Sequence, residues 1–461
     1  MTTPTSSAET RKTPAPIPPR FVTGSLFRHV VVMSTTGAIG LIAVFLVDLI
    51  NLFYISLLGQ QHLTAAIAFA GVVGFFQVSF CIGLMIGIAA VVARATGAGR
   101  HDDARRMATA SLVLMGAICV LVSTVTYIFL EEILGLLGAT GETSAQSLMY
   151  LRITVVSMPI LGLGMACSSL LRAVGDAKRS MNVTLIGALM TAALDPILIF
   201  AFRLDLVGAA IAVVISRLVM LAVSMHGVHR AHRLLGRFDS ASFSSDARAV
   251  AQISGPAILA NVATPFGVAF VTTFMAPFGA AAVAGMATID RLTPVAFGLV
   301  YALSGAVGPI IAQNLGAGRI DRVRQTLKDS LSFMAMAVGG AWLILALSQR
   351  FIISAFSATG ITAELISLFC SFLAASFVFV GALFVSNATF NNLGRPLYSM
   401  GFNWARATLG TIPFAYIGSH YGPLGVLIGS SIGAVIFGSL ATWVAFRITT
   451  ELGNRQVEST S

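Results

Sequence analysis

This chain has little charge. Only 10% of its 461 residues are Asp, Glu, Lys or Arg, while 56% are hydrophobic, and the mean hydropathy is +0.89. Soluble domains carry about 25% charged residues, so there is too little charge here to coat a soluble globule, and most of the chain is expected to lie in lipid. Cysteine is scarcer still. Cys81, Cys119, Cys167 and Cys370 each stand alone inside an apolar run, without metal-ligand spacing, and read as small hydrophobes. No HExxH pattern occurs, and no His lies near the few acids of the apolar runs. A membrane enzyme built on a metal or on a nucleophile and base therefore has no footing in the residues. The expectation is a non-enzyme with no cofactor.

Long apolar runs are abundant. A hydrocarbon layer about 30 Å thick takes roughly 20 apolar residues per helical crossing. Twelve such runs lie near 29–57, 64–93, 108–130, 147–171, 181–202, 206–228, 249–278, 280–312, 330–348, 365–388, 399–418 and 422–446. The fold class is accordingly an all-α membrane protein of twelve transmembrane helices. The first run is too long for a signal-peptide core and ends at no small-residue cleavage site, so it reads as a retained helix. The Thr-, Pro-, Ser- and Ala-rich residues before it read as a disordered tail.

A net charge of +10 would suit a nucleic acid if it were gathered on a soluble face. Instead it alternates along the chain. With both termini taken as cytoplasmic, the inner segments hold Arg11, Lys12, Arg20 and Arg28, then Arg94, Arg100, Arg105 and Arg106, then Arg172, Lys178 and Arg179. Arg230, Arg233, Arg237 and Arg248 follow, then Arg319, Arg322, Arg324 and Lys328, and finally Arg395, Arg447 and Arg455. The outer loops have only Arg152, Arg203 and Arg350 beside Glu131, Glu132, Glu142 and Glu364. This is the positive-inside asymmetry. It fits an even helix count and a multi-pass protein of the cell inner (plasma) membrane, with lipid and not nucleic acid around it.

A shift of 219 residues lays the chain on itself at two places. GAGRHDDARRMATASLVLM from Gly97 overlays GAGRIDRVRQTLKDSLSFM from Gly316, and LRAVGDAKRSM ending at Met181 overlays FNNLGRPLYSM ending at Met400. Two homologous six-helix bundles follow. Because six is even, they enter the membrane in the same orientation, as parallel repeats about an axis along the membrane normal, an arrangement that places a substrate path between lobes. The division reads as a disordered cytoplasmic tail at 1–27, an N-terminal lobe at 28–228, a cytoplasmic connector at 229–248, a C-terminal lobe at 249–447 and a second tail at 448–461. A monomer is expected.

In order along the chain stand LVDLINLFYISLLGQQHLTAA in the first run, GAGR after the second and eighth, ALDPILIF in the fifth, LVGAAIAVVIS in the sixth and PLGVLIG in the twelfth. Together these resemble the MATE (multidrug and toxic compound extrusion) family, in the bacterial and archaeal branch of the MOP flippase superfamily, from about Phe27 to Arg447. The resemblance implies two lobes around a central cleft and export of organic, cationic or amphipathic compounds by alternating access in exchange for H⁺ or Na⁺. The alternative within the superfamily is a lipid or polysaccharide flippase. Its anionic substrates would favour more intramembrane arginines than Arg217, Arg291 and Arg406.

An ionised side chain in hydrocarbon costs about 2.5–3.5 kcal/mol, which makes each one a functional candidate. Asp48 and Asp195 lie well inside apolar runs, and Asp290 lies near the start of the eighth. Asn51 stands one turn from Asp48, and Thr191 one turn from Asp195. Pro196 cannot donate to the carbonyl of Ala192, which leaves a kink and a free acceptor beside the carboxylate. Asp48, Asn51, Thr191 and Asp195 are thus the expected coupling residues. On the repeat, Asp48 overlays Gly267, and Asp195 meets Ile412 after a two-residue slip, so coupling belongs to the first half.

The resemblance sets Asp195 on the Asp of the fifth-helix LDP motif. It also puts Thr191 where many members have Asn, Val213 where they have Thr, and Asn51, counted back from Leu58-Gly59, where they have Asp. Those replacements remove oxygens that a Na⁺ site wants. H⁺ is therefore the expected coupling ion, with Na⁺ at Asp48 and Asp195 the alternative. No acid lies between Asp246 and Asp290, so the Glu that other members carry in helix seven has no counterpart. Tyr54, Phe76, Gln77 and Met190 are candidates to line an apolar pocket for small organic substrates. Arg217, Arg406 and Asp290 read as structural ion-pair partners, Asp195 being the carboxylate nearest Arg217 along the fold.

Overall fold

The structure, a computed structural model, describes residues 19–56 and 61–460. Residues 1–18, the Leu58-Gly59 end of the first-run motif and Ser461 lie outside them. In the first half, α1 (Leu26–Ser56), α2 (Gln61–Gly97) and α3 (His101–Ile128) are unbroken, and α4 is built of Gly141–Val156 and Met158–Ala173. Next, α5 (Ala177–Pro196) runs into a wide π-turn at Ile197–Ala201, and α6 spans Asp205–His226. The second half repeats the order with α7 (Ser240–Met275), α8 (Ala280–Ala296 and Gly298–Gly316) and α9 (Ile320–Ala355). It closes with α10 (Gly360–Ser371 and Phe377–Asn392), α11 (Pro396–Ala407 and Ile412–Ser419) and α12 (Gly422–Thr460). Among the described residues ten segments are each long and apolar enough to cross a membrane, and the two pieces of α4, bent by 47°, make an eleventh crossing. The twelfth is α11, whose pieces are too short to cross singly.

The breaks have chemical causes. Pro159 has no N–H for the carbonyl of Val155, which accepts from Ser123 Oγ instead, at 2.7 Å. The Thr154 carbonyl, which also accepts from the Ser157 hydroxyl at 2.7 Å, takes Arg217 Nη1 at 2.7 Å, and the same nitrogen reaches Ser157 Oγ at 2.6 Å. The 219-residue shift carries Ser157 onto Ser376, inside the irregular turn of α10, so this break belongs to the repeat. The break in α8 at Phe297 has no partner in α2, and there the Phe297 ring stacks on Phe377 with centroids 4.2 Å apart.

Three expected boundaries are corrected. The tail placed at 1–27 is ordered from residue 19: Phe21 is 2% exposed and joins Leu26, Val30 and Met33 in the apolar core of the second half. Its N–H donates to Gln313 Oε1 at 3.0 Å, and its carbonyl accepts from Asn314 and Arg322. The connector placed at 229–248 shortens to 232–239, because a π-turn at Gly227–Ala231 continues α6 and Asp239 caps α7 by accepting the Ala241 N–H, so that the helix starts at Ser240. The tail placed at 448–461 is, through Thr460, the helical end of α12.

In lipid, helices associate through close packing and hydrogen bonds rather than by hiding apolar surface from water, so small residues mark where the lobes meet. Gly37 abuts Ala302, Gly298 abuts Ile42, Gly83 abuts Ile258, and Gly87 abuts Ser254. All of these lie in the half of the membrane nearer the face that carries both chain ends, hereafter the terminal face, where Gly453 sits near Ile320 and Phe21 sits on Gln313. Among the described glycines none approaches the other lobe in the opposite half, where Phe75, Phe76 and Phe266 are exposed. The lobes therefore close at the terminal face and part toward the other.

Candidate functional site

α1 and α5 run side by side in the first lobe and bring two of the expected coupling residues together. Asn51 Nδ2 donates to Asp195 Oδ2 at 2.8 Å. Asp195 is fully buried, and its second oxygen, Oδ1, has no partner among the described residues. Ile55, Leu63, Ile199 and Leu206, with Tyr54 against them, form an apolar wall around these helix segments. Pro196 adjoins the carboxyl and passes into the π-turn, the kind of local widening that side-chain sites in helices often use. Asp48, on α1 one turn before Asn51, is exposed and makes no hydrogen bond or ion pair among the described residues.

Thr191 is not on the carboxylate. Its hydroxyl donates toward Gly187 O at 3.2 Å and meets Ser216 Oγ at 2.6 Å, tying α5 to α6. The four expected residues thus divide into a bonded pair, an exposed acid and a helix clasp. Ser216 went unnoticed in the sequence because a serine next to an intramembrane arginine carries no signal of its own.

The expected ion pairs do not form among the described residues. Arg217 is spent on the broken α4, where it donates to the Thr154 carbonyl and the Ser157 hydroxyl. Arg406 donates to Thr264 Oγ1 at 3.2 Å and leaves its Nε without a partner. Asp290 is exposed on α8 without an ion pair. Of the pocket candidates, Tyr54 packs edge-on against Phe200, and Phe76 is exposed beside Phe75. Gln77 is 5% exposed with its amide nitrogen unpartnered, and Met190 is half-buried.

A second polar constellation sits where the lobes close. Arg94 Nη2, at the end of α2, donates to the carbonyl of Asn392, at the end of α10. Gln313 Nε2, at the end of α8, donates to the carbonyl of Ala173, at the end of α4, at 2.6 Å. The shift of 219 residues carries Arg94 onto Gln313 and Ala173 onto Asn392, so the two bonds are images of one another and both cross between lobes. Between them the GAGR turns touch backbone to backbone: a Cβ on Gly97 would overlap Gln313, and one on Gly316 would overlap Arg94.

Arg172 stands close by. Its Nη1 donates to Ser180 Oγ at 2.8 Å and Ser168 Oγ at 3.3 Å, and its Nη2 faces Met85 Sδ. It lines a cavity of about 30 Å³ with Asn391 and Asn392, whose Oδ1 atoms are unpartnered. Just beyond, Asp176 caps α5. Burial opposes its charge, but hydrogen bonds from His232, the Arg179 amide and the Arg179 guanidinium hold the carboxyl below its ordinary range.

Two parallel six-helix lobes that meet at one face and part at the other, with a buried carboxyl inside one of them, define a multi-pass membrane transporter. The MatE family model matches residues 38–197 and 256–417, one stretch in each lobe. The chain belongs to the MATE family, a family of membrane transporters. It is 32% identical over 424 residues, 90% of this chain and 93% of the relative, to a FAD transporter of Shewanella oneidensis. It is 26% identical over 327 residues, 69% of this chain and 70% of the relative, to the multidrug export protein MepA of Staphylococcus aureus. The crystal structure of the Vibrio cholerae MATE transporter VcmN in the bent form matches with a TM-score of 0.87 and 26% identity, over 94% of this chain and 98% of that one.

Proposed function

We propose that this protein is a proton-coupled exporter of small organic compounds that works by alternating access. The observation that carries the reading is the Asp195 carboxyl, fully buried, with Oδ2 held by Asn51 and Oδ1 unpartnered. A lone carboxyl needs only to gain and lose one proton to change its charge, and its two charge states favour different arrangements of the lobe around it. Na⁺ is the weaker fit. It calls for several oxygen ligands, and the nearby Thr191 and Ser216 hydroxyls are spent on each other and on Gly187.

In this reading the terminal face is cytoplasmic, as the arginine-rich loops require, and the closed latch describes an outward-facing state. The protein sits in the inner membrane among lipids, as a monomer, with no cofactor. Its cargo extends to phosphorylated as well as cationic or amphipathic organic compounds, since one relative is described as a multidrug export protein and the relative from Shewanella oneidensis as a FAD transporter.

The test is Asp195→Asn in proteoliposomes with an imposed proton or sodium gradient. An amide keeps the shape but has one charge state, so a well-folded variant should lose proton-driven transport of ethidium and FAD. Wild-type rates in that variant, or transport by the parent protein that follows sodium alone, would overturn the reading.

A further inference from the structure

The two side chains that the repeat places as images of one another across the closed face, Arg94 and Gln313, both donate to backbone carbonyls of the other lobe. Arg94 uses Asn392 and Gln313 uses Ala173. Donor and acceptor sit in different lobes, so parting the lobes at this face strips both donors at once. Arg172 is already short of acceptors: it has two hydroxyls and a thioether sulfur, which accepts only weakly. Neither Arg94 nor Arg172 makes an ion pair among the described residues. Asn391 and Asn392, each 3% exposed, line the same small cavity. An opened mouth would thus present the guanidinium groups of Arg94 and Arg172 beside the amides of Asn391, Asn392 and Gln313.

We propose that this cluster binds the phosphate of a phosphorylated organic substrate entering from the terminal face, with Arg94 and Arg172 as the charged ligands. The inference rests on the exporter reading and names a cargo class for it. A guanidinium fork matches phosphate oxygens with two parallel hydrogen bonds. The bound phosphate replaces the carbonyl acceptors that opening takes away, so cargo binding favours the open arrangement. The repeat gives the site its polarity. The shift of 219 residues sets Arg94 against Gln313 and Arg172 against Asn391, so both cations belong to the first lobe, which also holds Asp195, and the second lobe offers amides. The phosphate therefore seats on the lobe that changes charge.

Riboflavin, FMN and FAD share one fluorescent ring and differ in phosphate, so their binding to the purified full chain, read by flavin fluorescence, isolates that group. FMN and FAD should bind at least about tenfold more tightly than riboflavin, and Arg172→Gln or Arg94→Gln should each weaken FMN and FAD by about tenfold or more while leaving riboflavin unchanged. Arg172→Lys should restore part of the loss. Should an arginine variant fail to fold, Asn391→Asp serves in its place, since a carboxylate added to the cluster should weaken FMN and FAD selectively. Equal affinity of the parent protein for all three flavins, no binding of FMN or FAD, or variants that weaken riboflavin as much as FMN would overturn the proposal. Because binding is read without a gradient, a parent protein that binds FMN but fails to move it with protons would sink the exporter reading and leave the phosphate site standing.

Discussion

At the scale of single residues, two positions that look alike in the sequence have different work. Asn51 and Thr191 each stand one turn from an intramembrane aspartate, yet only Asn51 touches a carboxylate, while Thr191 ties α5 to α6 through Ser216. Asn51→Leu strips the one hydrogen bond from Asp195, a loss of about 1–3 kcal/mol at a buried charged group, and should lower proton-driven transport about tenfold or more. Thr191→Val removes a hydroxyl pair between helices and should lower thermal stability while changing the transport rate less than Asn51→Leu does. Initial rates in proteoliposomes beside thermal unfolding of both variants check this, and the reverse ranking of rates would refute the division. The aspartates themselves were legible, because a charge among apolar residues is conspicuous at any register. Partners were not, since a one-turn spacing names a helix face and leaves open which neighbouring helix supplies the other half of the bond.

At the scale of elements, the terminal ends of α2 and α8 decide whether the lobes can close. Gly97 and Gly316 bring the two backbones into contact, a distance that no side chain permits. Gly97→Val or Gly316→Val should hold the terminal face apart by the bulk of the added side chain, and export should fall to background. Spin labels on Ala98 and Ala317 should report a longer separation in either variant than in the parent protein. An unchanged distance with normal transport would contradict the role assigned to these turns. The sequence marks both positions through the repeated GAGR string, and reads them as turns capping the next helix. That reading is sound locally, but it misses the contact, because a turn and a helix crossing need the same glycine and only a neighbouring backbone separates the two.

For the molecule as a whole, the stretch ahead of α1 belongs to the working fold. Arg20 reaches the Gly175 carbonyl of the first lobe at 3.4 Å, while Phe21 is held by Gln313, Asn314 and Arg322 of the second. The segment straps the closed face. Phe21→Ala gives up most of a buried aromatic side chain, about 1.5–3 kcal/mol, and should raise amide hydrogen exchange at the α8 end around Gln313 while leaving the centre of α3 unchanged. Exchange that rises uniformly, or nowhere, would remove the strap from the closing mechanism.

The sequence by itself determined the membrane class, the twelve crossings, the parallel repeat and the rare intramembrane acids. Each follows from composition, run length, internal matching or the cost of charge in lipid, all of which are properties of the chain read one residue after another. Only the tertiary structure decided which helix faces meet. It gave Arg217 to the broken α4 instead of Asp195, because the break at Ser157 presents the Thr154 carbonyl and the Ser157 hydroxyl to it. It turned Arg94 and Gln313, far apart in sequence and unlike in charge, into one symmetric latch. Hydrogen bonds between lobes depend on how two packed bundles are set against each other, and that is fixed by contacts between residues far apart along the chain, which no local pattern encodes.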